Sequence, residues 1–143
     1  MSVTVVEPCS PRLHVLHVDD DPLNLRVVSD ILQAFGHVGR QAPSGMAALE
    51  QLGARIFDVV LLDIHMPGMS GIEVLGRLRA SVGPERRTPV IALTADTLTR
   101  TRQDYLGLGF QDLVTKPILV SRLRESLIRV SAAPTVAERR RSA

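Results

Sequence analysis

The chain has one cysteine in 143 residues. Cys9 stands in a Pro- and Ser-flanked N-terminal stretch, which excludes an intramolecular disulfide and any cysteine-based zinc spacing. Long apolar runs are lacking too. None approaches the roughly 18 residues of a membrane span, and the opening MSVTVVEPCSPR has no charged-then-apolar order of a signal peptide. A cytoplasmic protein without a membrane partner is expected. The third scarcity is lysine: of the 17 basic side chains only Lys116 is not arginine. A guanidinium is planar and forked, whereas an ammonium is compact, so a lone lysine just before Pro117 suits a tight site that arginine would not fill.

What is present suits one domain with a sizeable core: 45% of residues are hydrophobic and 22% charged. The net charge of +2 is unevenly spread. Residues 1–115 carry ten basic and thirteen acidic side chains, net −3, and residues 116–143 carry seven and two, net +5. Acids gather early and arginines late.

Residues 1–12 read as a flexible leader, 13–131 as the folded domain, and 132–143 as a basic polar tail. Within the domain, β-runs alternate with amphipathic segments. The first strand is Leu13 to Val18, and Asp19, Asp20 and Asp21 follow it. Asp21 as N-cap with Pro22 at the first helical position opens a helix to about Phe35, with Val27, Val28, Ile31, Leu32 and Phe35 as its apolar stripe and Gly36 as its stop. Val38 to Ala42 makes a weak second strand, and Ser44 caps a short helix ending near Gly53. Val59 to Leu62 is a fully apolar third strand, and a helix from about Gly71 to Ala80 follows. Pro89 to Thr94 is the fourth strand, and a polar helix from about Thr97 to Gly107, anchored by Leu98, Tyr105 and Leu106, is expected to be the most mobile. Phe110 to Thr115 is the fifth strand, and Leu119, Val120, Leu123, Leu127 and Val130 mark a closing helix. Strands alternating with helices imply parallel pairing through right-handed crossovers, with helices on both faces.

That topology puts the strand ends on one rim. Asp63 closes the third strand, at the mouth of a Pro- and Gly-broken loop, HMPGMSG. Alone it is equally a strand-terminal Asp capping a turn. In an open α/β sheet, however, chemistry gathers beyond the carboxyl ends of the strands. The same rim receives Asp19 and Asp20, Thr94 and Lys116. Each has a plain reading: helix capping for the acids, a hydroxyl bonding its own backbone for Thr94, a solvated charge for Lys116. Together they suggest more. Crowded carboxylates call for a cation, and hard oxygen ligands suit Mg²⁺, with Mn²⁺ as the alternative ion. An ammonium and a hydroxyl nearby suit the charge spread over a transferring phosphoryl group.

The motifs VDDD at 18–21, LLDIHMPGMSG at 61–71, ALTA at 92–95 and TKP at 115–117 resemble those of response regulator receiver domains of bacterial two-component systems. The resemblance covers about residues 12–130. It implies a flavodoxin-like (βα)5 fold, a doubly wound five-stranded parallel sheet with helices on both faces. It implies that Asp63 accepts a phosphoryl group from a histidine kinase or phosphotransfer protein. Asp20, Asp63 and the backbone carbonyl of His65 would ligate the metal, with Asp19 acting through water. Thr94 and Lys116 would hold phosphoryl oxygens, with a cis Lys116–Pro117 bond. Such a domain catalyses only its own phosphorylation and dephosphorylation. His65 and Asp96 would modulate the phosphoryl lifetime. One departure stands out: Leu113 occupies a fifth-strand position where the family commonly has an aromatic that partners the threonine, so a weaker or differently built switch is expected. If the chain is complete, no DNA-binding domain follows residue 130, and a single-domain receiver is expected, one that docks to a downstream target protein or acts as a phosphate shuttle or sink.

Two other readings compete with this one. In a haloacid-dehalogenase-like phosphatase Asp19 and Asp21 would form the DxD, but Asp63 would lack a role. A receiver-fold binding module would use Arg122, Arg124 and Arg129 with Arg139, Arg140 and Arg141 to bind a cyclic dinucleotide or another anionic partner; the plain alternative is a solvated basic tail. His14 and His17 are expected as strand residues and His37 as a turn residue.

Overall fold

The computed structural model describes residues 12–131. The leader short of Arg12, the tail from residue 132, and with them Cys9 and Arg139, Arg140 and Arg141 lie outside the described residues. Five strands, β1 (His14–Val18), β2 (Val38–Ala42), β3 (Val59–Asp63), β4 (Val90–Thr94) and β5 (Asp112–Thr115), form one parallel sheet in the order β2-β1-β3-β4-β5. The helices α1 (Pro22–Ala34), α2 (Gly45–Ala54), α3 (Gly71–Arg79), α4 (Arg102–Leu108) and α5 (Val120–Ser131) alternate with them, and a 3₁₀ turn, Pro84–Arg87, precedes β4.

Strand side chains alternate between two cores, as the two-residue period requires. Leu16, Val18, Val60, Leu62, Val90 and Ala92 face α2, α3 and α4. Val15, Val59, Leu61, Ile91, Leu93 and Val114 face α1 and α5. All five residues of β3 and of β4 are buried. Each fully buried Val or Leu contributes roughly 1.5–3 kcal/mol, so the central strands fix the sheet. From β1 the chain winds outward to β2 and then back to β3 on the other side. The crevice between β1 and β3 is therefore the switch point of the sheet, where Asp19 and Asp63 end their strands.

The helix starts follow from short polar caps. Asp21 Oδ1 accepts from Leu23 N at 3.0 Å, Ser44 Oγ from Ala47 N at 3.1 Å, and Ser70 Oγ from Glu73 N at 3.2 Å. Each such cap is worth about 1 kcal/mol.

Three expectations are corrected. In α1, Val27 is 44% exposed and Leu25 takes its place in the core, because the buried stripe runs Leu25, Val28, Leu32 at strict helical spacing. The polar helix does not start at Thr97. Asp96 Oδ1 accepts from Leu98 N and Thr99 N at 2.9 and 3.0 Å, a local turn that competes with the helix and leaves Leu98 95% exposed. The helix begins only after Thr101, which shares a reciprocal capping box with Asp104, and it ends at Gly109, φ 113°. In the closing helix, Leu119 and Val120 are exposed, and Leu123, Leu127 and Val130 carry the packing.

Candidate phosphoryl and metal site

The rim beyond the strand ends collects Asp19 and Asp20 after β1, Asp63 at the end of β3, Thr94 at the end of β4 and Lys116 after β5. Asp19, Asp63 and Thr94 are buried, while Asp20 is exposed. Carboxylate oxygens of Asp19, Asp20 and Asp63 lie within 4.8 Å of one another. Lys116 Nζ stands against two of these groups, 3.1 Å from Asp63 Oδ1 and 3.3 Å from Asp19 Oδ2. The Lys116–Pro117 peptide is cis. Asp19 Oδ1 is held by the Asp21 N–H at 2.9 Å, which aims Oδ2 across the crevice.

Burial pushes the Asp63 carboxyl above the usual carboxylate range, against the opposing pull of the Lys116 ammonium and the His65 backbone N–H. For Lys116 burial works the other way, but the Asp63 and Asp19 carboxylates outweigh it and raise the ammonium above its ordinary value. The lysine thus keeps its proton and serves as the counter-charge of the acidic cluster.

The loop after Asp63 closes tightly. Gly71 N donates to Ile64 O at 2.9 Å, and a Cβ on Gly71 would lie 2.4 Å from the Asp63 carbonyl oxygen. Only glycine permits that approach. Across the rim, Thr94 Oγ1 accepts from Asp96 N at 3.0 Å, so its hydroxyl is tied to its own loop. Asp96 is held at about 2 by hydrogen bonds from Thr99, side chain and backbone, and from Leu98 N. The exposed His65 ring reaches it, with Nε2 4.0 Å from Asp96 Oδ2, so the two expected modulating residues do face each other. Leu113 packs against the core cluster that contains Tyr105 and Phe110, whose rings meet edge-on at 5.8 Å.

Of the arginines, Arg122 and Arg124 are exposed on α5. Arg129 is committed: its guanidinium donates to Asp112 Oδ2. Asp112, fully buried on the edge strand β5, also accepts from Ser126 Oγ at 2.6 Å and pairs with Arg102 of α4 at 2.5 Å. Burial alone would raise this carboxyl, but Ser126, the Leu113 N–H, Arg102 and Arg129 together hold it below the usual range. Sequence reasoning missed this clasp of α4, β5 and α5; its signal was a charge, Asp112, inside the fifth β-run. His17, expected as a strand residue, does lie in β1; what the sequence did not show is that it is 1% exposed beside Asp19, with its pKa lowered by burial to about 4 despite the Asp19 charge.

A doubly wound parallel sheet with three acids, a lysine and a threonine on its carboxyl rim is the architecture of a signal-receiving domain rather than of a capped hydrolase. Residues 15–128 match the family model of the response regulator receiver domain. The chain belongs to that family. It is 38% identical over 113 residues to the aerobic respiration control sensor protein ArcB of Escherichia coli, covering 79% of this chain and 14% of that protein. It is 36% identical over 116 residues to the Pseudomonas aeruginosa sensor histidine kinase AruS, covering 80% of this chain and 12% of that one. The chain thus spans only a small fraction of the length of these relatives. Among solved structures, the Vibrio cholerae chemotaxis protein CheY4 superposes with a TM-score of 0.76 at 30% identity, over 84% of this chain and 99% of that one. The receiver domain of a Pseudomonas aeruginosa sensor histidine kinase, crystallised with a magnesium ion in its active-site cleft, gives a TM-score of 0.77 at 28% identity, over 86% and 100%.

Proposed function

We propose that Asp63 accepts a phosphoryl group from a histidine kinase or phosphotransfer protein, and that the modified domain changes its affinity for a partner or passes the group on. The observation that carries this reading is the ammonium of Lys116, 3.1 Å from Asp63 Oδ1 and 3.3 Å from Asp19 Oδ2, within a cluster of three carboxylates. A cluster made only of hard oxygen donors fits Mg²⁺, or Mn²⁺ in its place, held by Asp20, Asp63 and the His65 carbonyl with Asp19 acting through water. When bound there, the ion supplies positive charge against which an anionic donor and an anionic acceptor can meet.

Asp63 acts as the nucleophile. One of its oxygens attacks the donor phosphorus in line, the bond from phosphorus to the leaving group breaks, and the leaving group departs with the electron pair. Lys116 turns from its carboxylate partners toward the incoming phosphoryl oxygens. Thr94 gives up the Asp96 N–H and donates its hydroxyl to a phosphoryl oxygen, which loosens the turn at residues 96–101 that precedes α4. The α4–β5 region then shifts between two arrangements. Because Leu113 stands on β5 and the Tyr105 ring is already buried, no aromatic of β5 turns inward in that step. His65 and Asp96 flank the approach of hydrolytic water and set the phosphoryl lifetime.

Intact-mass measurement after acetyl phosphate with Mg²⁺ tests the reading. The wild type gains the mass of one phosphoryl group, and Asp63→Asn gains nothing; label retained in that variant refutes the assignment.

A further inference from the structure

This mechanism leaves His17 unused. It lies on β1, two residues before Asp19, between apolar neighbours Leu16 and Val18 and paired in register with Leu61. The residue is 1% exposed, and both ring nitrogens lack a hydrogen-bond partner. No other buried side-chain nitrogen or oxygen among the described residues is left so. An apolar side chain would fill the position without that penalty, so an orphaned imidazole there calls for an explanation.

Its surroundings supply one. His17 Nε2 lies 4.0 Å from Asp19 Oδ2, the same oxygen that accepts from Lys116 Nζ at 3.3 Å. Two donors therefore face one acceptor, and in the unmodified domain the ammonium holds it. Asp19 is itself 1% exposed, so bulk solvent does not replace a donor that leaves.

We propose that His17 is a positioning residue for Asp19: when Lys116 turns to a phosphoryl group on Asp63, the neutral Nε2–H of His17 closes on Asp19 Oδ2 and takes over as its donor. The exchange keeps a buried carboxylate hydrogen-bonded on both oxygens, Oδ1 by the Asp21 N–H and Oδ2 by one donor or the other. Outer-shell donors of this kind fix the orientation of a ligating group and commonly change metal affinity about 10–100-fold. The proposal rests on the reading that Asp63 accepts a phosphoryl group.

The test is ¹⁵N NMR of the imidazoles in the full chain, free, with Mg²⁺, and with Mg²⁺ and beryllium fluoride as the phosphoryl mimic. The expected result is a His17 ring fixed in the Nε2–H tautomer, with a slowly exchanging Nε2 proton, in the mimic-bound state alone. His17→Val should weaken Mg²⁺ binding in that state roughly tenfold, the low end of the outer-shell range, and His17→Gln, which keeps a donor at the ε position, should restore most of it. Unchanged His17 resonances across the three states, or wild-type Mg²⁺ affinity in His17→Val, overturn the proposal. If acetyl phosphate labels Asp63 while His17 stays unmoved, only this proposal falls; if Asp63 takes no label, the phosphoryl reading falls first.

Discussion

Removing the carboxylate of Asp112 tests whether the clasp at the sheet edge holds α4 and α5 to β5. Asp112 is fully buried, whereas the side chains of Arg102 and Arg129 are 47% and 54% exposed. Breaking a wholly buried ion pair costs about 3–5 kcal/mol. Here the freed guanidiniums regain water, so most of that penalty disappears. What remains is the loss of charge-assisted hydrogen bonds and an unpaired buried Ser126 hydroxyl, together about 2–3 kcal/mol for Asp112→Ala. Asp112→Asn keeps an acceptor for Ser126 and should lose only about 1–2 kcal/mol. Either arginine changed to Met should lose less than about 1 kcal/mol, because each guanidinium is half-solvated. Urea unfolding monitored by circular dichroism gives these differences directly. The Asp112 carboxyl is held below its ordinary range in the fold. Its contribution is therefore complete above the unfolded value of about 4 and fades as pH falls through the folded value. The gap between wild type and Asp112→Asn should hold steady above about pH 5 and narrow in acid. An Asp112→Ala protein within about 0.5 kcal/mol of wild type at pH 7 would refute the clasp.

Other expectations concern the rim. Gly71→Ala drives a Cβ to 2.4 Å from the Asp63 carbonyl oxygen; it should destabilise the domain by about 2–3 kcal/mol and slow labelling of Asp63 by acetyl phosphate, and unchanged labelling kinetics would contradict the close approach. Lys116→Met leaves the carboxylates without their counter-charge, so thermal stability should become dependent on Mg²⁺; a melting temperature insensitive to Mg²⁺ in that variant would argue against the lysine's role. His17 stays neutral in the fold, with its pKa lowered to about 4. A depressed histidine pKa means that stability is complete above the unfolded value of about 6.5 and is lost as pH falls toward the folded one, about 2 kcal/mol by pH 5. Chelator-treated wild type should lose that much relative to His17→Val, and parallel pH profiles for the two proteins would disprove the burial of a neutral ring.

The rim was legible because its residues are fixed by topology: alternating β-runs and helices put every strand end on one side, so Asp19, Asp63, Thr94 and Lys116 met without knowledge of any side-chain contact. The caps at Asp21 and Ser44 were legible for the same local reason. Failures came where a side chain chose between local and distant partners. Asp96 bonds the backbone just ahead of it, and the expected helix start gave way to a turn. In α1, Leu25 and Val27 are both apolar, and the buried stripe runs through Leu25, Val28 and Leu32 and leaves Val27 exposed. Arg129 looked like part of a free basic face because its partner, Asp112, lies 17 residues earlier on a different element. His17 as an orphan needed coordinates altogether, since no pattern of residue types shows an absent hydrogen bond.

The ammonium between Asp19 and Asp63 makes this domain self-sufficient in charge. A tethered cation is held at the crevice by the fold itself, and so the acidic crevice has a counter-charge before any ion arrives. Small domains whose fold depends on metal lose their structure to a chelator; this one should lose only its readiness to react. Lys116 also sets the terms of entry, because an incoming divalent ion must displace or share with a resident that is covalently attached. A measured Mg²⁺ affinity would then be a difference between two occupants. On the proposed reading, depleting the ion should idle the protein without unfolding it, and restoring the ion should return a working domain with no refolding step; loss of the far-ultraviolet circular dichroism signal on chelation would contradict this.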